Sequence, residues 1–271
     1  MRLTVLGTGT ARPTAGAVTS GLLIQSGTTN LLLDCGTGIA ARLDAALPAE
    51  SLSAIAITHL HADHALDLAA LRYRFPWAGG PERRIPLHIP RGSGSAIAAM
   101  SAAIAERPGF IEEAFEVREY EPEGRFVVGE LRLDVVPAQH YVTAGSFAVT
   151  DPSGARLVYA GDTGPTARIV DFARGADLLV IEATLGSPAE DDERRGHLTG
   201  DEAIEIGRAA AAAMTLLVHY PAERSDALEA ACAVAGSAAQ VAHDGMTLDV
   251  VRDQGSARAP RLGRLSAQQD A

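Results

Sequence analysis

Residues 58–64, Thr-His-Leu-His-Ala-Asp-His, follow directly on the apolar run Ala54-Ile55-Ala56-Ile57. A strand that ends there delivers three imidazoles and one carboxylate into a single tight loop, so the fold must present an open strand end at this point. His59 and His61 lie two apart, and Asp63 and His64 follow at once, so a turn can aim one pair at one metal ion and the other pair at a second. Imidazole nitrogen and carboxylate oxygen are zinc ligands. A set with few thiolates and an open position suits a catalytic ion rather than a structural one.

Four side chains are too few for two ions, and the same pattern recurs elsewhere. Asp34 follows Leu31-Leu32-Leu33, and His140 follows the run Leu133–Gln139. Asp162 follows Leu157-Val158-Tyr159-Ala160-Gly161, and His219 follows Leu216-Leu217-Val218. Further strand-like runs are Leu3–Leu6, Leu22–Gln25, Phe115–Tyr120, Ser146–Thr150 and Leu178–Glu182, and His88 reads as a structural residue within another. Periodicity predicts helices over Ile39–Leu47, Ala65–Tyr73, Ser95–Glu106, Thr166–Phe172 and Asp201–Ala213, with Pro76–Pro81 breaking the second of them. Gly186–Gly196 reads as a polar loop and 253–271 as a frayed polar tail, leaving 1–252 as a single domain. Runs of strands and helices in this order suggest two sheets packed face to face with helices outside, an α/β sandwich whose loops converge at one edge.

Composition limits the partners. A net charge of -11 argues against a protein that grips long nucleic acid across its surface. It leaves room for an anionic substrate, because two bound cations make one pocket locally positive. Two cysteines, Cys35 and Cys232, are too few for a disulfide framework and read as small buried residues in a reducing compartment. With no leader-like segment at Met1–Gly7 and no apolar stretch of membrane-spanning length, the expected location is the cytoplasm, away from the membrane.

The order of these motifs resembles the metallo-β-lactamase fold superfamily over nearly the whole chain. That resemblance implies a four-layer αββα sandwich with two divalent ions, zinc foremost and Mn2+ or Fe as alternatives, at its edge. It implies His59, His61 and His140 on one ion, Asp63, His64 and His219 on the other, and Asp162 between them. Asp34 would orient the loop and a ligand imidazole from behind. It also admits a homodimer.

Three segments are similar to the ribonuclease Z and cyclic-nucleotide phosphodiesterase side of the superfamily. They are Gly7-Thr8-Gly9-Thr10 with Arg12-Pro13-Thr14, the segment Ile181-Glu182-Ala183-Thr184, and His197-Leu198-Thr199. The resemblance pairs Glu182 with His197 and places Thr199 in support. Ribonuclease Z carries a long arm for tRNA between its third and fourth ligand motifs, whereas His140 and Asp162 are only 22 positions apart. His219 also lacks the usual serine shortly after it. Leu71–Trp77 instead looks like small-molecule phosphodiesterases of this branch, with Arg72 and Arg74 as candidates to hold a phosphate. The expectation is a di-zinc phosphodiesterase for a small phosphodiester such as a cyclic nucleotide. In it a hydroxide between the ions, beside Asp63, attacks phosphorus, and His197 assists the leaving oxygen. The alternatives are a ribonuclease Z-type tRNA 3' endonuclease and a zinc hydrolase of lactones or thioesters.

Overall fold

The computed structural model describes residues 1–48, 51–75, 84–236 and 238–252. Among them the chain forms β1 (Arg2–Gly7), β2 (Gly21–Ser26), β3 (Thr29–Leu33), β4 (Ala54–Ala56), β5 (Ile85–Pro90) and β6 (Phe115–Tyr120). There follow β7 (Arg125–Val128), β8 (Leu131–Pro137), β9 (Gly145–Thr150), β10 (Arg156–Tyr159) and β11 (Leu178–Glu182). The last strands are β12 (Thr215–Val218), β13 (Ala239–Val241) and β14 (Thr247–Asp249). One sheet has the order β14-β1-β2-β3-β4-β5-β6, and the other β13-β12-β11-β10-β9-β8-β7.

Alternation of side chains decides the layers. Leu31 and Leu33 of β3, and Leu216 and Val218 of β12, enter the core between the two sheets. Leu32 faces the other way, onto a core shared with α1 (Ile39–Ala46) and α4 (Gly94–Ala105) through Ile39, Leu43 and Ile97. Leu217 likewise meets α5 (Ala167–Ala173), α6 (Gly200–Ala209) and α7 (Ser225–Ala235) through Ile169, Ile206 and Leu228. Strands apolar on both faces need cover on both. The result is the helix–sheet–sheet–helix sandwich expected from the sequence.

The direction of the strands then builds the site. β3, β4, β5 and β6 run parallel, as do β10, β11, β12 and β13, while β8 points with β10 across antiparallel β9. Residues just beyond the C-terminal ends of these strands therefore share one edge, where open α/β sheets place their ligands.

Two expectations for elements change. The predicted helix Ala65–Tyr73 is two short helices, α2 (Ala62–Ala65) and α3 (Leu68–Leu71), followed by a 3-10 turn at Arg72–Arg74. The break falls at Asp67, whose N–H leaves the helical ladder to donate to the Cys35 carbonyl at 3.0 Å. The Asp67 carboxylate meanwhile accepts from Ala40 N at 2.9 Å, which ties the ligand loop to α1. The strands β7, β13 and β14 and helix α7 lie in stretches to which no element was assigned from sequence. The proline-rich break at 76–81 and the tail at 253–271 lie outside the described residues.

Candidate metal centre

The loop after β4 carries Thr58 through Asp63 into α2, and its path requires glycine at two contacts. A side chain at Gly36 would meet the Asp63 carbonyl at 1.8 Å, so only glycine lets the β3 and β4 loops touch. Gly161, at φ 61, turns the chain out of β10 and presents Asp162. Asp34 and His219, each just past a strand end, hold left-handed backbone at φ 60 and φ 50 without being glycine. Backbone strain of this kind persists where the surroundings over-determine it, commonly at working sites.

Three imidazoles form one group. His61 Nδ1 lies 3.0 Å from His59 Nε2 and 3.1 Å from His140 Nε2. A second group joins Asp63, His64, Asp162 and His219, with ligand atoms within 4.8 Å of one another. Asp162 reaches both groups. Its Oδ1 is 3.2 Å from His64 Nε2, and its Oδ2 is 3.6 Å from His219 Nε2 and 3.7 Å from His59 Nε2.

The residues fit two divalent cations. Imidazole nitrogens about 2.0–2.1 Å from a tetrahedral ion stand ~3.3 Å apart, close to the separations in the first group. Asp162 Oδ1 is buried and meets no aligned hydrogen-bond donor, only the His64 ring edge at 3.2 Å, a costly arrangement for a carboxylate oxygen unless a cation meets it. His59, His61, His140 and Asp162 would hold one ion, and Asp63, His64, His219 and Asp162 the other.

The outer nitrogens are held as metal-binding imidazoles require. His64 Nδ1 donates to Asp34 Oδ2 at 2.8 Å, and His140 Nδ1 donates to the Gly196 carbonyl at 3.0 Å. His59 Nδ1 meets Thr58 Oγ1 at 3.1 Å, and His219 Nδ1 meets Thr184 Oγ1 at 2.9 Å. Asp34 also receives Thr58 N at 2.7 Å and the Tyr159 hydroxyl at 2.8 Å, the place behind the ligands expected of it.

Charge state follows from burial and neighbours. Burial above all pushes the His59, His61 and His140 imidazoles down, so they stay neutral and keep a lone pair. For His64 and His219 burial is outweighed, chiefly by Asp162, and both are raised. Burial likewise opposes ionisation of Asp162, but His219, His64 and His59 hold its carboxyl well below the usual range.

Beside the ligands, His197 Nδ1 donates to Glu182 Oε1 at 2.9 Å and lies 4.0 Å from Asp162 Oδ2. Its ring stacks on that of His219 with centroids 5.9 Å apart. Burial pulls His197 down, yet the Glu182 hydrogen bond and charge, with Asp162 and Asp191, raise it to about 9. Glu182 is buried and also accepts from Thr163 N at 2.9 Å and Leu198 N at 3.2 Å. It positions His197 and does not itself face the cleft.

Three expectations are corrected. Arg72 is 1% exposed and its guanidinium is spent on the Phe110 carbonyl at 2.7 Å, the Phe75 carbonyl at 3.1 Å and Glu113 at 2.8 Å. Arg74 pairs with Asp44 at 2.7 Å, so neither arginine is presented to a phosphate at the metal ligands. Thr199 caps α6, accepting from Glu202 N at 3.2 Å, and supports the site only by starting that helix. His243 is exposed, while its neighbour Asp244 accepts from Thr8 N at 3.0 Å and Val18 N at 3.2 Å.

Sequence reasoning missed Thr58, Thr184, Tyr159 and Asp191 as supports. Asp191 accepts from Gly196 N at 2.8 Å and His197 N at 3.1 Å and is bonded by the Tyr141 hydroxyl, which fixes the polar loop over the site. Thr58 and Thr184 lie within the quoted motifs, at their ends, and that placement was the available signal.

Comparison with known proteins agrees with this geometry. A profile of the beta-lactamase superfamily domain matches residues 29–220. YhfI of Bacillus subtilis, a probable metallo-hydrolase, is 29% identical over 228 residues, covering 82% of this chain and 87% of its own. Its crystal structure, described as a metallo-beta-lactamase fold protein, superposes with a TM-score of 0.79 at 26% identity over 91% of this chain and 98% of that one. Ribonuclease Z of Haloferax volcanii is 31% identical over 302 aligned residues, covering 92% of this chain and 95% of its own. A diphosphatase of the PhnP family shares the fold with a TM-score of 0.73 at 20% identity, covering 93% of this chain and 99% of that one. The two ligand groups, the shared edge and these matches lead to one assignment: the chain belongs to the beta-lactamase superfamily and is a metal-dependent hydrolase of it.

Proposed function

We propose that the chain is a two-metal phosphodiesterase for a small phosphodiester such as a cyclic nucleotide, with Zn2+ as the ion and Mn2+ or Fe as ions the same donors accept. The observation that carries this reading is His197, held by Glu182 at 2.9 Å and raised to about 9, beside the ligand cluster. An imidazole kept protonated at neutral pH, with Nδ1 committed to a carboxylate, has Nε2 left to protonate a leaving alkoxide. Bound divalent ions supply an activated water and neutralise charge on the phosphoryl oxygens. The chain's own part is to keep His59, His61 and His140 neutral, hold Asp162 ionised between the two groups, and deliver the proton from His197.

Two cavities adjoin the ligand groups. A cavity of about 160 Å³ lies at Asp63, walled by the loop Gly9–Thr14 with Val18. Another of about 240 Å³ opens beside His61 against Leu60, Leu66, Ile97 and Met100. The span between His140 and Asp162 is taken up by β9 and β10, which leaves no arm for tRNA. The match to ribonuclease Z runs over 302 positions, more than the 271 residues of this chain, so that relative carries insertions.

Metal-replete protein assayed on cyclic nucleotides, an aryl phosphodiester, precursor tRNA and a lactone tests the proposal. Turnover of the cyclic nucleotide or aryl diester is expected. Cleavage of precursor tRNA alone would move the assignment to a ribonuclease Z-type endonuclease. Turnover of the lactone with none of any phosphodiester would sink it.

A further inference from the structure

Two buried carboxylates of the site, Asp34 and Glu182, each serve two imidazoles, one directly and one through a threonine. Asp34 Oδ2 takes His64 Nδ1 at 2.8 Å, while the Thr58 hydroxyl lies 2.9 Å from that same oxygen and 3.1 Å from His59 Nδ1. Glu182 Oε1 takes His197 Nδ1 at 2.9 Å, while the Thr184 hydroxyl lies 2.5 Å from Oε2 and 2.9 Å from His219 Nδ1. We infer that Thr58 and Thr184 are positioning residues that set the tautomer of one metal-ligating histidine in each group.

The inference follows from counting protons. A threonine hydroxyl has one proton to give and two lone pairs with which to accept. Glu182 Oε2 already faces the obligate donor Leu198 N at 3.2 Å, and Asp34 Oδ1 faces Thr58 N at 2.7 Å, so both carboxylates act as acceptors. Each hydroxyl proton therefore goes to its carboxylate. The Thr184 hydroxyl also lies 3.1 Å from the His219 carbonyl, but the nearer carboxylate takes its single proton. Toward the imidazole each hydroxyl can then only accept, so His59 and His219 must carry their proton on Nδ1. That leaves Nε2 as the atom free to meet a cation, and each ring turns it toward Asp162, at 3.7 and 3.6 Å, with His219 Nε2 also 3.1 Å from Asp63 Oδ2. Thr58 acts through His59 on the His59, His61 and His140 group, its hydroxyl standing farther, at 3.4 Å, from His64 Nδ1, and Thr184 acts through His219 on the group with Asp63 and His64.

This rests on the reading that the two groups hold cations, and its test does not depend on any substrate. Long-range 1H–15N spectra of metal-free protein should show Nδ1 protonated in both His59 and His219. Thr184→Val should abolish fixed protonation of Nδ1 in His219 alone, and Thr58→Val in His59 alone. Titration with Zn2+ against a competing chelator should show one of the two ions weakened about 10–100-fold in each valine variant, the range for losing a partner behind a metal ligand. Thr→Ser should restore both readouts, and Thr→Ala serves in place of any valine variant that loses cooperative melting. Equal Zn2+ affinity in wild type and both valine variants, or serine variants that fail to restore it, would overturn the relay. A wild type that takes up no stoichiometric Zn2+ would instead remove the metal reading beneath it.

Discussion

His197 shows how much one side chain depends on its neighbours. Its folded value of about 9 lies above the ordinary 6.5, so its contribution to stability is complete below 6.5 and fades as pH rises through about 9. The same proton is the one proposed for the leaving group, so kcat/KM should fall on the alkaline side, below that value, because cations bound nearby favour loss of the proton. Glu182→Gln should move that limb toward lower pH, as a pH–rate profile would read. His197→Ala should lower kcat by about 10²–10⁴-fold with zinc content unchanged, measured by steady-state kinetics beside metal analysis. Loss of zinc in that variant would show His197 to be a ligand. Arg72 teaches the converse: a basic residue in a motif-like stretch is claimed by backbone carbonyls. Arg72→Ala should cost roughly 2–4 kcal/mol in chemical denaturation, from unpaired carbonyls and a cavity, while the activity of the folded fraction is kept.

At the scale of elements, strands with an apolar or alternating run were legible and those without one were not. β11 falls at Leu178–Glu182 and β6 at Phe115–Tyr120, as their patterns predict. β13 and β14 have three residues each and lack the continuous apolar run that marks the equally short β4. The helix expected over Ala65–Tyr73 breaks because Asp67 finds tertiary partners in Cys35 and Ala40 that no local pattern announces. Contacts between loops are equally invisible. Gly36→Ala would drive a methyl into the Asp63 carbonyl, now 1.8 Å from that position. The expected cost is ~1–3 kcal/mol with weakened uptake of the ion held by Asp63, read by thermal melting with and without Zn2+.

For the whole molecule, burying two groups of imidazoles and carboxylates at one sheet edge couples folding to cation binding. Chelation should lower the melting temperature, and added Zn2+ should raise it with ion concentration, because ions bound only by the folded state stabilise it by mass action. An unchanged melting temperature under chelation would mean that the groups hold no ion. Among the described residues no helix is long and apolar enough to cross a membrane.

The sequence by itself marked the candidate ligands, because apolar runs show where strands end and Asp or His stands at those ends, and resemblance to known motifs paired Glu182 with His197. It could not say which imidazole Asp34 answers or what the threonines do. Sheet order decided that Asp34, though distant in sequence, lies behind His64, and that Thr58 and Thr184 stand between carboxylate and imidazole. Side-chain period is a local property of the chain, whereas strand neighbours are chosen by the burial of whole faces against each other. Hence the chemistry of the site was written locally, and its wiring only in the packed sandwich.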